Sequence, residues 1–179
     1  VSELEVMHIE VKEFYYAGIN WMEKDGKRSL GPHENDFWTL IPDSRAQLMK
    51  LLKPNNTGYQ LQGQWKQFIE CVTKETNTCE RLSNLRNSNG YVPGFEPANG
   101  KLSIKVLAPI EEKNNGKPAL RKFSSGDAQN TNGHSLLLRF DYGKSKVLLT
   151  GDLNAQSQQH ILDFFKLSNS MEELASDVV

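Results

Sequence analysis

The run Lys146-Val-Leu-Leu-Thr-Gly-Asp152 constrains this chain more than any other stretch of it. A short apolar segment between polar neighbours has the composition of a buried strand. It meets Gly151, which permits a sharp exit and a close backbone approach, and then presents the carboxylate of Asp152. Just upstream, Ser135-Leu-Leu-Leu-Arg-Phe-Asp141 is a second strand-like run, and Tyr142-Gly-Lys-Ser145 between the two has turn composition. The pattern predicts a hairpin over 135–150 that ends on an acidic side chain. A carboxylate at a strand end is placed to hold a metal ion or to move a proton. The alternative is that Gly-Asp only makes a turn and Asp152 caps the next helix.

The rest of the chain divides by periodicity. Residues 1–16 mix Leu4, Val6, Ile9, Val11 and Phe14 with acidic residues and read as one or two strands, with His8 a strand histidine. Tyr15 to Trp21 is aromatic-rich, the composition of a groove wall or of a small hydrophobic cluster under a loop. Residues 22–42 are polar, carry Gly26, Gly31 and Pro32, and read as loop, with His33 exposed. Residues 44–52 read as a helix capped by Asp43 or Ser44 and stopped by Pro54. Trp65, Phe68, Ile69 and Val72 have the spacing of one apolar helix face. Residues 74–89 show no period, and Glu80, Arg81 and Arg86 there read as a solvated face or as substrate contacts. Residues 111–130 read as a mobile loop poor in apolar residues, and 154–165 as a helix with His160 on its exposed side. Ser170 and Glu173 have capping-box spacing.

Composition narrows the function classes. The chain has 179 residues, the size of one domain. Its net charge of −1 gives no basic footprint for nucleic acid, although such a partner stays open. It has no apolar run of about 18 residues that would span a bilayer. Cys71 and Cys79 are too far apart for a Cys-x-x-Cys pair and read as reduced structural thiols, which favours a cytoplasmic setting.

The segment from Asn132 and Ser135 through the Tyr/Gly turn to Leu149-Thr-Gly-Asp152, with the strand at 102–110 before it, resembles metallo-β-lactamase-fold hydrolases. The nearest branch is the hydrolase domain of the competence DNA-uptake membrane proteins. The resemblance covers about Leu102 to Asp152. It implies an α/β fold: part of a four-layer αββα sandwich, a mixed sheet with flanking helices. Residues 20–100 would be a subgroup-specific insertion, a lid or partner surface, within a single partial domain over 1–179.

It further implies that Asp152 is a metal ligand, usually to zinc, in a hydrolase that uses a metal-bound hydroxide on an ester or phosphodiester. Asn132, His134 and Thr150 would lie near that site. Asn132 would orient water or pin the turn, His134 would share its face if the strand alternation runs through 132, 134 and 136, and Thr150 would support Asp152. Ser135 has no partners for nucleophilic work and is assigned a backbone hydrogen bond. The family's His-x-His-x-Asp-His and His-His-Gly-Ser motifs are missing from the sequence. The chain opens directly into Leu4–Val11 and stops at Ser176-Asp-Val-Val179, which reads as the start of a strand. It is therefore read as an internal piece of a larger hydrolase, inactive alone and binding divalent metal weakly or not at all by itself. A degenerate homologue serving as a binding or scaffolding domain is the alternative. Small-molecule or phosphodiester substrates fit the first reading, and a partner protein fits the second.

Overall fold

The structure is a computed structural model that describes residues 10–54, 57–85 and 87–179, without the side chains of Asn87 and Ser88. The expected strand over 1–9, His8 and Arg86 lie outside the described residues. The architecture is mixed α/β with several small sheets. Strands β1 (Glu13–Tyr16), β2 (Met22–Lys24), β3 (Lys27–Ser29), β4 (His33–Glu34) and β5 (Phe37–Trp38) precede helix α1 (Arg45–Lys50). Then follow β6 (Gln60–Leu61), α2 (Gly63–Glu75), β7 (Thr78–Arg81) and α3 (Asn87–Gly90). The second half holds β8 (Ser103–Ala108), β9 (Glu112–Asn114), β10 (Lys117–Arg121), α4 (Asp127–Gly133), β11 (Leu137–Tyr142), β12 (Ser145–Leu149) and α5 (Ala155–Leu167). A 3-10 turn over Met171–Leu174 comes last.

The expected hairpin is β11–β12, antiparallel, with Leu138 opposite Leu149 and Tyr142 opposite Ser145. Its other edge pairs with β8, again antiparallel. Beyond β12, Val178 bridges Val147 in the parallel sense, and Leu148 N–H donates to Val178 O at 2.9 Å. The helix between them, α5, packs Ile161 and Phe165 against Leu107, Leu137 and Leu148. This is the strand–helix–parallel strand connection that buries a sheet face under a helix.

The expected single mixed sheet is corrected to separate small sheets. β1 and β7 form a parallel pair, β3-β2-β6 a three-stranded sheet, and β4-β5-β10-β9 a four-stranded one. The loop reading of 22–42 is corrected to two hairpins, and the mobile-loop reading of 111–130 to the β9–β10 hairpin and α4. Both corrections come from turn chemistry. Asp25-Gly26 and Asn115-Gly116 all have positive φ (51°, 72°, 51° and 76°), the backbone of a type I′ turn that matches strand twist.

The featureless stretch 74–89 is corrected to the end of α2 and strand β7, whose burial alternates. Arg81, read as a solvated or substrate-facing side chain, is 1% exposed, and its Nη1 lies 2.8 Å from Glu111 Oε2. Ser83 Oγ–H donates to the same carboxylate oxygen at 3.2 Å. The capping box at Ser170 is corrected too: Ser170 makes no side-chain cap, and the Glu173 carboxylate instead meets Lys105 Nζ at 2.5 Å and Arg139 Nη1 at 3.2 Å. Those pairs tie the last turn to β8 and β11. Cys71 and Cys79 are both free. Among the described residues no helix is long and apolar enough to cross a membrane.

Candidate functional site

Asp152 sits where β12 leaves the sheet. Gly151 has φ +57°, and a Cβ built on it would lie 2.8 Å from Ser135 Cβ, so glycine is required for the two chains to touch here. The contact is completed by Asp152 N–H, which donates to Ser135 Oγ at 3.2 Å. This is the backbone hydrogen bond assigned to Ser135 from sequence. Asp152 itself is exposed, and its carboxylate makes no hydrogen bond or ion pair among the described residues.

It does not cap α5. That role belongs to Asn154, whose side-chain oxygen accepts from Ser157 N–H at 3.1 Å. Asn154 Nδ2–H also donates to Gln129 O at 2.6 Å and so ties α5 to α4. The carboxylate of Asp152 is thus held at a strand end with no partner of its own among the described residues.

The residues expected around it are distributed differently from a strand alternation. Residues 127–133 are helical, so Asn132 and His134 do not share a strand face. Asn132 is half-buried, and it is its carbonyl that accepts from Ser135 N–H, at 3.0 Å. The amide that pins this region is Asn130, two residues earlier and fully buried. Its Oδ1 accepts from Phe123 N–H at 2.7 Å, and its Nδ2–H donates to Ser124 O and Gly126 O at 2.9 and 2.8 Å. A buried amide satisfied on both ends fixes a loop firmly; an Asn two positions from the motif gave no sequence signal for it. Thr150 Oγ1–H points to Gly151 O at 3.4 Å rather than to the Asp152 carboxylate.

His134 is 2% exposed. Its Nε2 lies 2.7 Å from Arg121 O. A carbonyl only accepts, so Nε2 carries the hydrogen and Nδ1 is left as a bare lone pair. Nδ1 has no hydrogen-bond partner among the described residues. Burial holds this imidazole at a pKa of about 4, below its ordinary 6.5, against the opposing pull of the Arg121 carbonyl.

The sign of the linkage follows. The unfolded chain binds a proton at this ring below pH 6.5 and the folded chain does not until about pH 4, so stability falls as pH drops through that window. The expected loss is about 3 kcal/mol between pH 6.5 and 4. Urea denaturation across that range checks it: the midpoint should fall steeply in the wild type and less in His134→Gln.

Next to His134 lies a charged cluster. Arg121 pairs bidentately with Glu112, at 2.8 and 2.7 Å. His160, expected on an exposed face, is half-buried instead: its Nε2 is 3.3 Å from Glu112 Oε1 and its ring packs edge-on against Phe123. Phe123 also lies 4.9 Å from the His134 ring. Burial alone would raise the Glu112 carboxyl, but His160 and Arg121 outweigh it and pull the group down to about 2. The cluster binds β9, β10 and α5 together.

Behind Ser135 opens a cavity of about 240 Å³. Tyr16, Trp21 and Trp65 form its aromatic wall, and Thr131, His134 and Ser135 its polar one. This is where the Tyr15–Trp21 stretch, read from sequence as a groove wall or a small cluster, comes to lie. Trp65 and Phe68 are half-buried and pack against the core cluster that holds Ile69 and Val72, so all four are core contacts as expected.

Among the described residues no group of three or more His, Cys, Asp or Glu side chains converges as a metal centre would require. Around Asp152 the neighbours are a hydroxyl and an amide already committed to Ser157 and Gln129. The described residues alone therefore do not fit a zinc centre. Comparison with family models, with curated proteins and with solved structures finds no match to this chain.

Proposed function

We propose that this chain is part of a metal-dependent hydrolase of esters or phosphodiesters, built on a metallo-β-lactamase-like sandwich, with Asp152 as the one metal-directed carboxylate the described residues supply. The observation that carries the reading is the state of Asp152: exposed at the end of a sheet strand, backbone pinned by Ser135, side chain without a partner among the described residues, and relieved of helix capping by Asn154. A turn-forming aspartate is normally spent on a local backbone group, and this one is not. Zinc is the metal the resemblance favours, and further ligands would lie outside the described residues.

The test uses the full-length gene product, with metal content measured by plasma mass spectrometry and turnover by release of nitrophenolate from a nitrophenyl phosphodiester. Asp152→Asn is expected to lower both by about 100-fold or more, since loss of a mere supporting group already costs 10–100-fold. Unchanged metal content in Asp152→Asn refutes the reading.

A second reading, a binding or scaffolding domain, rests on the lack of a three-donor group among the described residues. Full metal-free stability together with no hydrolysis, in wild type and variant alike, supports it.

A further inference from the structure

We infer that the cavity between Trp21, Trp65 and His134 is a subsite for a flat unsaturated ring that carries an N–H or O–H donor. Its position as part of a substrate-binding cleft rests on the proposed hydrolase reading; its ability to bind such a ring does not. Three observations point to this ligand.

The first is size. At about 240 Å³ the cavity exceeds the roughly 150 Å³ that accepts benzene and falls short of the roughly 300 Å³ where drug-sized pockets begin. One ring or a fused pair fits, and a polypeptide segment does not.

The second is the wall. Tyr16, Trp21 and Trp65 offer aromatic surface, and two of their polar handles are already satisfied. Tyr16 O–H donates to Pro42 O at 2.7 Å, and Trp65 Nε1–H donates to Asn20 Oδ1 at 2.7 Å. Tyr16 and Trp65 are held in place by these hydrogen bonds, so their contribution to the cavity is a rigid stacking surface.

The third is His134. Its tautomer is fixed by Arg121 O, and its Nδ1 lone pair is unsatisfied among the described residues. His134 lines a half-open, largely apolar cavity, and an acceptor there selects a ligand that brings a donor, because a ligand without one leaves the nitrogen unpaired. Beside it, Ser135 Oγ accepts from Asp152 N–H and keeps its own hydrogen to give. A ring seated on Trp21 and Trp65 is therefore one residue from Asp152. The ring belongs to the alcohol or acyl portion of the ester whose reacting bond lies at the strand end.

The experiment compares indole with benzofuran, which has nearly the same shape but no N–H, by titration into isotope-labelled protein followed by NMR. No metal and no turnover are involved, so its failure is separable from a failure of the metal reading. Indole should bind saturably, shift resonances of Trp21, Trp65 and His134, and bind about 5-fold or more tighter than benzofuran, the worth of one hydrogen bond. Affinity for indole should be constant from pH 8 to pH 5, and Trp21→Ala should weaken it about 10-fold. Absence of saturable indole binding at millimolar concentrations overturns the subsite. Equal affinity for the two ligands overturns the role of His134.

Discussion

Glu111→Ala is expected to cost about 3–5 kcal/mol, measured as a drop in unfolding free energy in urea. Arg81 is the largest fully buried side chain among the described residues, and Glu111 meets it at 2.8 Å while remaining mostly buried itself, at 13% exposure. Removing one partner of a buried pair leaves the other charge in a poorly solvating interior, and that penalty, rather than the strength of the pair, sets the size of the effect. Ser83 loses its acceptor at the same time. In a protein of this length such a loss lowers the melting temperature by about 10–15 °C. Glu111→Gln keeps the shape and one hydrogen bond and should lose less. A loss below about 1 kcal/mol for the alanine variant would mean that Arg81 is not held by this carboxylate.

Gly18→Ala is the second large effect, at about 4 kcal/mol. Gly18 has φ +101°, a backbone conformation L-residues avoid, and a Cβ there would fall 2.1 Å from Arg81 Cδ. The clash is with the middle of a side chain locked by its ion pair, so the arginine cannot swing aside. Backbone strain and overpacking each contribute about 1–3 kcal/mol. Thermal unfolding followed by circular dichroism checks it; a melting temperature within 2 °C of wild type, on the order of the shift for 1 kcal/mol, would contradict it.

The parts of the fold that were legible in the sequence are those with enough residues to show a period. The β11–β12 hairpin, α1, α2 and α5 all carry runs of apolar residues that only one geometry buries. The illegible parts are hairpins with strands of two to five residues, too short for alternation to emerge. In β9–β10 the buried positions are only Asn114, Ala119 and Leu120, a weak apolar signal on either side of Asn115-Gly116. The informative letters there were Asn-Gly and Asp-Gly, read as loop composition when they specify I′ turns.

The site divides in the same way. Ser135 and the Gly151 contact follow from local spacing. The burial of His134, the Asn130 clamp and the Glu112–His160 contact depend on where α4 and β10 dock, and no spacing within the sequence encodes that. Strand alternation puts His134 on the face of Asn132, and the helix over 127–133 removes that premise.

The most direct test of the central claim is anomalous diffraction at the zinc edge from crystals of the full-length protein grown with zinc. A zinc ion with an Asp152 carboxylate oxygen at about 2.0–2.2 Å is the expected result. A fully occupied zinc site elsewhere, with the Asp152 carboxylate facing only solvent, would contradict it.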